Sequence, residues 1–150
     1  MGINNYAIWW DDTITVYNKY EDLQTHLIKW YRTVLTDCFY KGVGDNVKIN
    51  NVELDTDNII CRIPLKSNYM KPYLWVDLPN DEKGNWFTLR QGDIIVEGAV
   101  DEEIDEYTSG HRSTDFTAKY KALQGCMTVE RVGDNTGVGR GNEHYRVSGV

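Results

Sequence analysis

Cysteine, proline and histidine are scarce in this 150-residue chain, with three of each. Cys38, Cys61 and Cys126 lie far apart and form no C-x-x-C pair. They spell out neither a thiolate metal site nor a disulfide framework. Their expected role is that of small apolar core side chains in a reducing compartment. His26, His111 and His144 each stand alone, with no second His at ligand spacing. Each is expected to be exposed or locally bonded.

Long apolar runs are missing too. None approaches the ~18 residues that span a bilayer as a helix. Met1 to Tyr6 is polar and uncharged, unlike a secretory leader. No membrane partner is expected, and synthesis in the cytoplasm is. Positive charge is short: 16 Lys and Arg face 23 Asp and Glu, a net charge of −7. That argues against a wrapping grip on nucleic acid, which needs clustered cations to displace counterions. It leaves room for a surface that DNA slides past, because an acidic wall repels phosphate.

Signatures of chemistry are equally sparse. "GVGDN" and "GVGRGN" are rich in glycine, but neither has the G-x-x-x-x-G-K-[ST] pattern or a helix directly after it. No G-x-S-x-G elbow and no EF-hand loop occur. No cofactor and no catalytic residue is expected. The densest titratable cluster is Asp101, Glu102, Glu103, Asp105 and Glu106. It reads first as a solvated acidic face. Its alternative is a divalent-cation site of a metal-dependent enzyme such as a nuclease, with His111 nearby.

What the chain has in quantity is aromatic residues and strand patterns. Ten Tyr and five Trp are many for this length, and such side chains suit strands and interfaces. "TITVYNKY" (13–20) alternates with a period of two, Ile14 and Val16 on one face, Thr15 and Tyr17 on the other. "LIKWYRTVLTDCFY" (27–40) follows as its antiparallel partner. "NIICRIPL" (58–65) is a short buried strand that Pro64 ends or confines to an edge. "WFTLRQGDIIVEGAV" holds two short strands broken at Gly92-Asp93. "CMTVERV" and "EHYRVSGV" complete the set, and the first alternates with Met127, Val129 and Arg131 on one face. "STDFTAKYKALQG" (113–125) is the helix candidate, capped by Ser113 or Thr114, closed by Gly125, with Phe116, Tyr120 and Leu123 as its packing stripe. Strand runs with short turns and no alternating helices predict a mainly β fold. Its expected form is a small antiparallel β-barrel or sandwich of about seven or eight short strands with one short helix near residues 113–125.

The chain reads as one domain over 1–150. Residues 1–12 form a candidate N-terminal arm, and residues 101–112 a mobile acidic loop. Tyr6, Trp9 and Trp10 either fold back on the barrel or dock on a neighbouring subunit. Trp9, Trp10, Trp30, Trp75 and Trp86 are many for one small core, so some are expected at subunit contacts.

Four segments carry a resemblance. "DTITVYNKY" followed by "KWYRTVLTDCFY", "FTLRQGDIIVEGAVDEEI", and "VERVGDNTGVGRGNEHYRVSGV" are similar in order and type to phage and prophage proteins of the head–tail joining region. Those proteins are described as minor capsid, head–tail connector or stopper proteins. The resemblance implies a small β-barrel assembled into a homo-oligomeric ring in the virion neck, made in the host cytoplasm. The ring would extend or seal the DNA channel. Its partners would be further copies of itself, a portal or adaptor protein and tail proteins, with genomic DNA passing without sequence-specific binding. Subunit-interface candidates are then Tyr6, Trp9, Trp10, Trp30, Trp75 and Trp86. Channel-lining candidates are Asp101, Glu102, Glu103, Asp105 and Glu106. Besides the enzyme, a stand-alone β-barrel module that grips peptide or carbohydrate through exposed Trp and Tyr is the remaining alternative.

Overall fold

A computed structural model describes residues 10–42, 47–49, 52–54, 59–137 and 143–150. Its strands are β1 (Asp12–Glu21), β2 (Ile28–Lys41), β3 (Val47–Ile49), β4 (Val52–Leu54), β5 (Ile59–Pro64), β6 (Ile94–Glu97), β7 (Cys126–Asn135) and β8 (His144–Gly149). The helices are α1 (Pro72–Trp75) and α2 (Ser113–Leu123). Six strands close into an antiparallel barrel in the order β1-β2-β5-β8-β7-β6, and β3 pairs with β4 alone. The mainly β expectation holds, and closure removes the sheet edges that would otherwise invite uncontrolled pairing.

The alternation in β1 explains its place. Ile14 and Val16 point into the barrel, where they pack with Leu35, Ile63, Ile95, Met127 and Val147. Tyr17, on the opposite face, is just as buried. It joins Ile94, Val96, Phe116 and Tyr120 in a second cluster beneath α2. Hence β6 reads as an unbroken apolar run: Ile95 faces the barrel while Ile94 and Val96 face the helix. A strand covered on both sides loses its polar face.

Long-range closure depends on a close approach. A Cβ on Gly149 would lie 2.0 Å from the Thr128 carbonyl oxygen, so β8 can run this near β7 only with glycine there. Two irregularities shape the remaining strands. The β1–β2 register shifts between Asp12 and Ile14, next to Asp37, which sits at φ 57° in β2. The β7–β8 register shifts between Val129 and Arg131.

Several sequence expectations change. "WFTLR" forms no strand: Phe87 makes a single bridge to Tyr69. Instead, Phe87 and Leu89 drop into the barrel core. Residues Pro72–Trp75, for which no element was expected, form the short helix α1, helped by Pro72 at its start. The structure gives α2 no side-chain cap from Ser113 or Thr114; its N-cap is Arg112. Phe116 and Tyr120 are buried, but Leu123 is exposed. The bulge in β7 separates Arg131 from Met127 and Val129: the extra residue, Glu130, turns Arg131 outward and brings Val132 against the core.

Candidate functional site

The acidic segment is hydrogen-bonded to the elements around it. Glu102 accepts a 2.6 Å bond from the Lys119 Nζ of α2 and a 3.1 Å bond from the Tyr120 hydroxyl. Its own backbone carbonyl accepts from the Tyr17 hydroxyl at 2.6 Å. Glu103 pairs with the Arg32 Nε of β2 at 3.0 Å. Both Glu106 oxygens accept from Ser113, one from the backbone N–H at 2.6 Å and one from the hydroxyl at 2.9 Å. Asp105 accepts from the Tyr107 N–H and the Thr108 hydroxyl, which tightens its own turn. Ile104 inserts into the cluster beneath α2. The segment is thus a strap that ties α2 to the outer face of β1 and β2. Glu102, Glu103, Ile104 and Glu106 each meet a partner outside the segment, which the sequence did not lead one to expect.

These contacts set the charge states. The Lys119 ammonium, bonded to Glu102, holds that carboxyl below the usual carboxylate range. The Tyr107 N–H does the same for Asp105. Among the described residues no three His, Cys, Asp or Glu side chains come together as metal ligands. The strap's carboxylates diverge to separate partners. His111 does not join them as a ligand; its backbone carbonyl accepts from Asp105 N–H.

The tryptophans serve the subunit itself more than expected. Trp75 is fully buried at the end of the barrel marked by the β1–β2 turn. It stacks edge-on against Tyr20 and Tyr31 and donates its indole N–H to the carbonyls of Lys83 and Trp86. Lys83, itself buried, places its ammonium 4.2 Å from the Tyr20 ring centre, and its charge is met by Asn80 and the Leu78 carbonyl. Arg90 lies 5.5 Å from the Trp75 ring. Trp30 is buried beneath α2, and Trp10 packs on Phe39 and edge-on to His144. Burial therefore removes Trp10, Trp30 and Trp75 as exposed anchors. Trp86 is half-buried. Tyr6 and Trp9 lie outside the described residues.

A buried polar knot holds this end in register. Asp93 accepts from Asn18 Nδ2 at 2.9 Å, Lys19 N–H at 2.9 Å and Arg90 N–H at 3.0 Å. Burial outweighs those donors and pushes the Asp93 carboxyl up to about 6. Gly92, at φ 95°, makes the turn that allows it. At the Gly92-Asp93 break before β6, glycine supplies the turn and aspartate bolts it to β1. The three cysteines are free and buried, and burial pushes the Cys38 and Cys126 thiols up to about 12.

Sequence reasoning missed one surface. Arg62, Arg131 and Arg146 project outward from β5, β7 and β8. The alternation of β8 marked Arg146; the bulge hid Arg131.

A model of the family described as a family of unknown function (DUF6751) matches residues 9–150. The chain belongs to that family. No curated protein and no solved structure matches it. The family's span begins just before β1 and runs to the last residue, so it takes in the barrel, α2 and the strap together. No helix among the described residues is long and apolar enough to cross a membrane.

Proposed function

We propose that this chain is a structural subunit of a phage neck, forming a homo-oligomeric ring at the head–tail interface that extends or seals the DNA channel. The closed six-stranded barrel is the observation that carries the reading. A barrel without open edges assembles through its faces and loops, which suits a ring of fixed geometry. The sequence resemblance supplies the location, and the proposed partners are a portal or adaptor protein and tail proteins.

Two further features support an assembling role. Each anchored carboxylate of the strap stiffens the subunit rather than a reaction centre. Leu23 and Leu27 at the β1–β2 turn, and Tyr73 and Leu74 on α1, stay exposed. Leu23 shares an open groove of about 380 Å³ with Tyr20, Val76 and Arg90. Such a rim of apolar residues at one barrel end suits contact with the next protein along the neck.

Electron microscopy of the purified full chain tests the reading. Closed rings with a central opening are the expected result. Solitary particles at every concentration tried would overturn it.

A further inference from the structure

We infer that the arginine face of β5, β8 and β7 is the seat for the acidic strap of a second copy of this chain. The inference rests on the ring reading above and names the contact that would close it.

The face is built by register. Arg62 of β5 stands directly across from Arg146 of β8, and both point away from the core. Arg131 of β7 stands across from Ser148, the next outward position along β8. Arg131 and Arg146 line one open groove of about 580 Å³, which Glu130 also lines. Gly133, opposite Arg146, adds no side chain to fill it. Among the described residues none of the three guanidiniums has a carboxylate partner. Arg62 rests on the Phe39 ring, 5.4 Å away, which orients it without neutralising it.

Such a face is costly in an isolated subunit. Like charges directly opposite on neighbouring strands repel. In a chain of net charge −7, three arginines on one side with no carboxylate partner among the described residues also leave much of the acid excess elsewhere. Part of that excess is the strap, where Asp101 is exposed and Glu103 keeps most of its carboxylate in solvent despite Arg32.

Topology places the two surfaces apart. In the order β1-β2-β5-β8-β7-β6, β8 is three strands from β1 in either direction. The strap is bonded to β1 and β2, so it covers the side of the barrel opposite β8. Two complementary surfaces on opposite sides cannot pair with themselves across a two-fold axis, because like would meet like. They pair head to tail, and head-to-tail contacts close into rings when the rotation permits. Guanidinium pairs also suit phosphate, yet the overall negative charge weighs against nucleic acid and for carboxylates carried by a like subunit.

The test is a charge swap in the full chain, read by sedimentation velocity at low salt, with circular dichroism to verify folding. Wild type is expected to assemble, and to dissociate as salt screens the contact. R131E/R146E and D101K/E103K are each expected to sediment at least tenfold more weakly associated, as folded monomers. Mixing the two, or combining all four changes in one chain, is expected to restore assembly. If wild type assembles and both variants assemble equally well, the inference falls and the ring reading stands. A monomeric wild type would sink both. Loss of binding to a short DNA duplex by R131E/R146E, with assembly intact, would assign the face to nucleic acid and overturn the inference.

Discussion

The Lys119 ammonium lies 2.6 Å from a Glu102 carboxylate oxygen, and this contact ties the one long helix to the acidic strap. Because Glu102 is held below its ordinary value by that partner, the tie is present above the unfolded pKa and is lost as pH falls through the folded one. Glu102→Gln is therefore expected to speed amide exchange across residues 101–112 at neutral pH while leaving the barrel strands protected. Wild type acidified below its Glu102 pKa should show the same pattern. Exchange that rises equally in β1 and β7 would mean that the strap and the barrel open as one unit.

Replacing Gly149 by alanine puts a Cβ against the Thr128 carbonyl. The two strands must part where Thr128 and Val150 exchange backbone hydrogen bonds. The expected cost is about 3 kcal/mol, read as a lower urea midpoint with an unchanged slope. A midpoint within error of wild type would show that β8 slides freely.

Asp93 gives the opposite pH signature to Glu102. Its folded pKa is raised to about 6 from 3.8 by burial. Below 3.8 the group is protonated in both states and contributes nothing differential. As pH rises through this window the unfolded chain ionises first, so this group's contribution to stability falls and stays low above 6. Relative to Asp93→Asn, which does not titrate, wild type is expected to lose about 3 kcal/mol between about pH 4 and about pH 7. A flat difference would show that the three N–H donors fully offset burial.

Asp37 occupies left-handed backbone at φ 57° inside β2, at the shift in the β1–β2 register. Asp37→Gly is expected to be neutral or stabilising by up to about 1 kcal/mol, and Asp37→Val to destabilise by about 1–2 kcal/mol. Thermal unfolding of the pair checks this, and equal melting temperatures would remove strain as the explanation.

Much of the barrel was legible because its strands alternate or carry β-branched runs. Ile14 and Val16 declared one face of β1, and Ile94 to Val96 declared a short apolar strand, though not that both its sides are covered. Long-range choices were not legible. Nothing local marks Glu130 as a bulge, so Arg131 read as sharing a face with Met127 and Val129. Nothing local says that Glu102, Glu103 and Glu106 meet Lys119, Arg32 and Ser113, partners up to 71 residues away. A run of carboxylates looks the same in sequence whether it is solvated or anchored. The tryptophans misled for a related reason: Trp75 needs Lys83, Tyr20 and Tyr31 around it, and only the closed barrel brings them together.

Labelling of intact virions with gold-coupled antibody raised against the purified chain tests the central claim most directly. If the proposed neck role holds, the label sits at the junction of head and tail of virions from a phage that carries the gene. Virions that carry no label, while the protein accumulates free in the lysate, would contradict it.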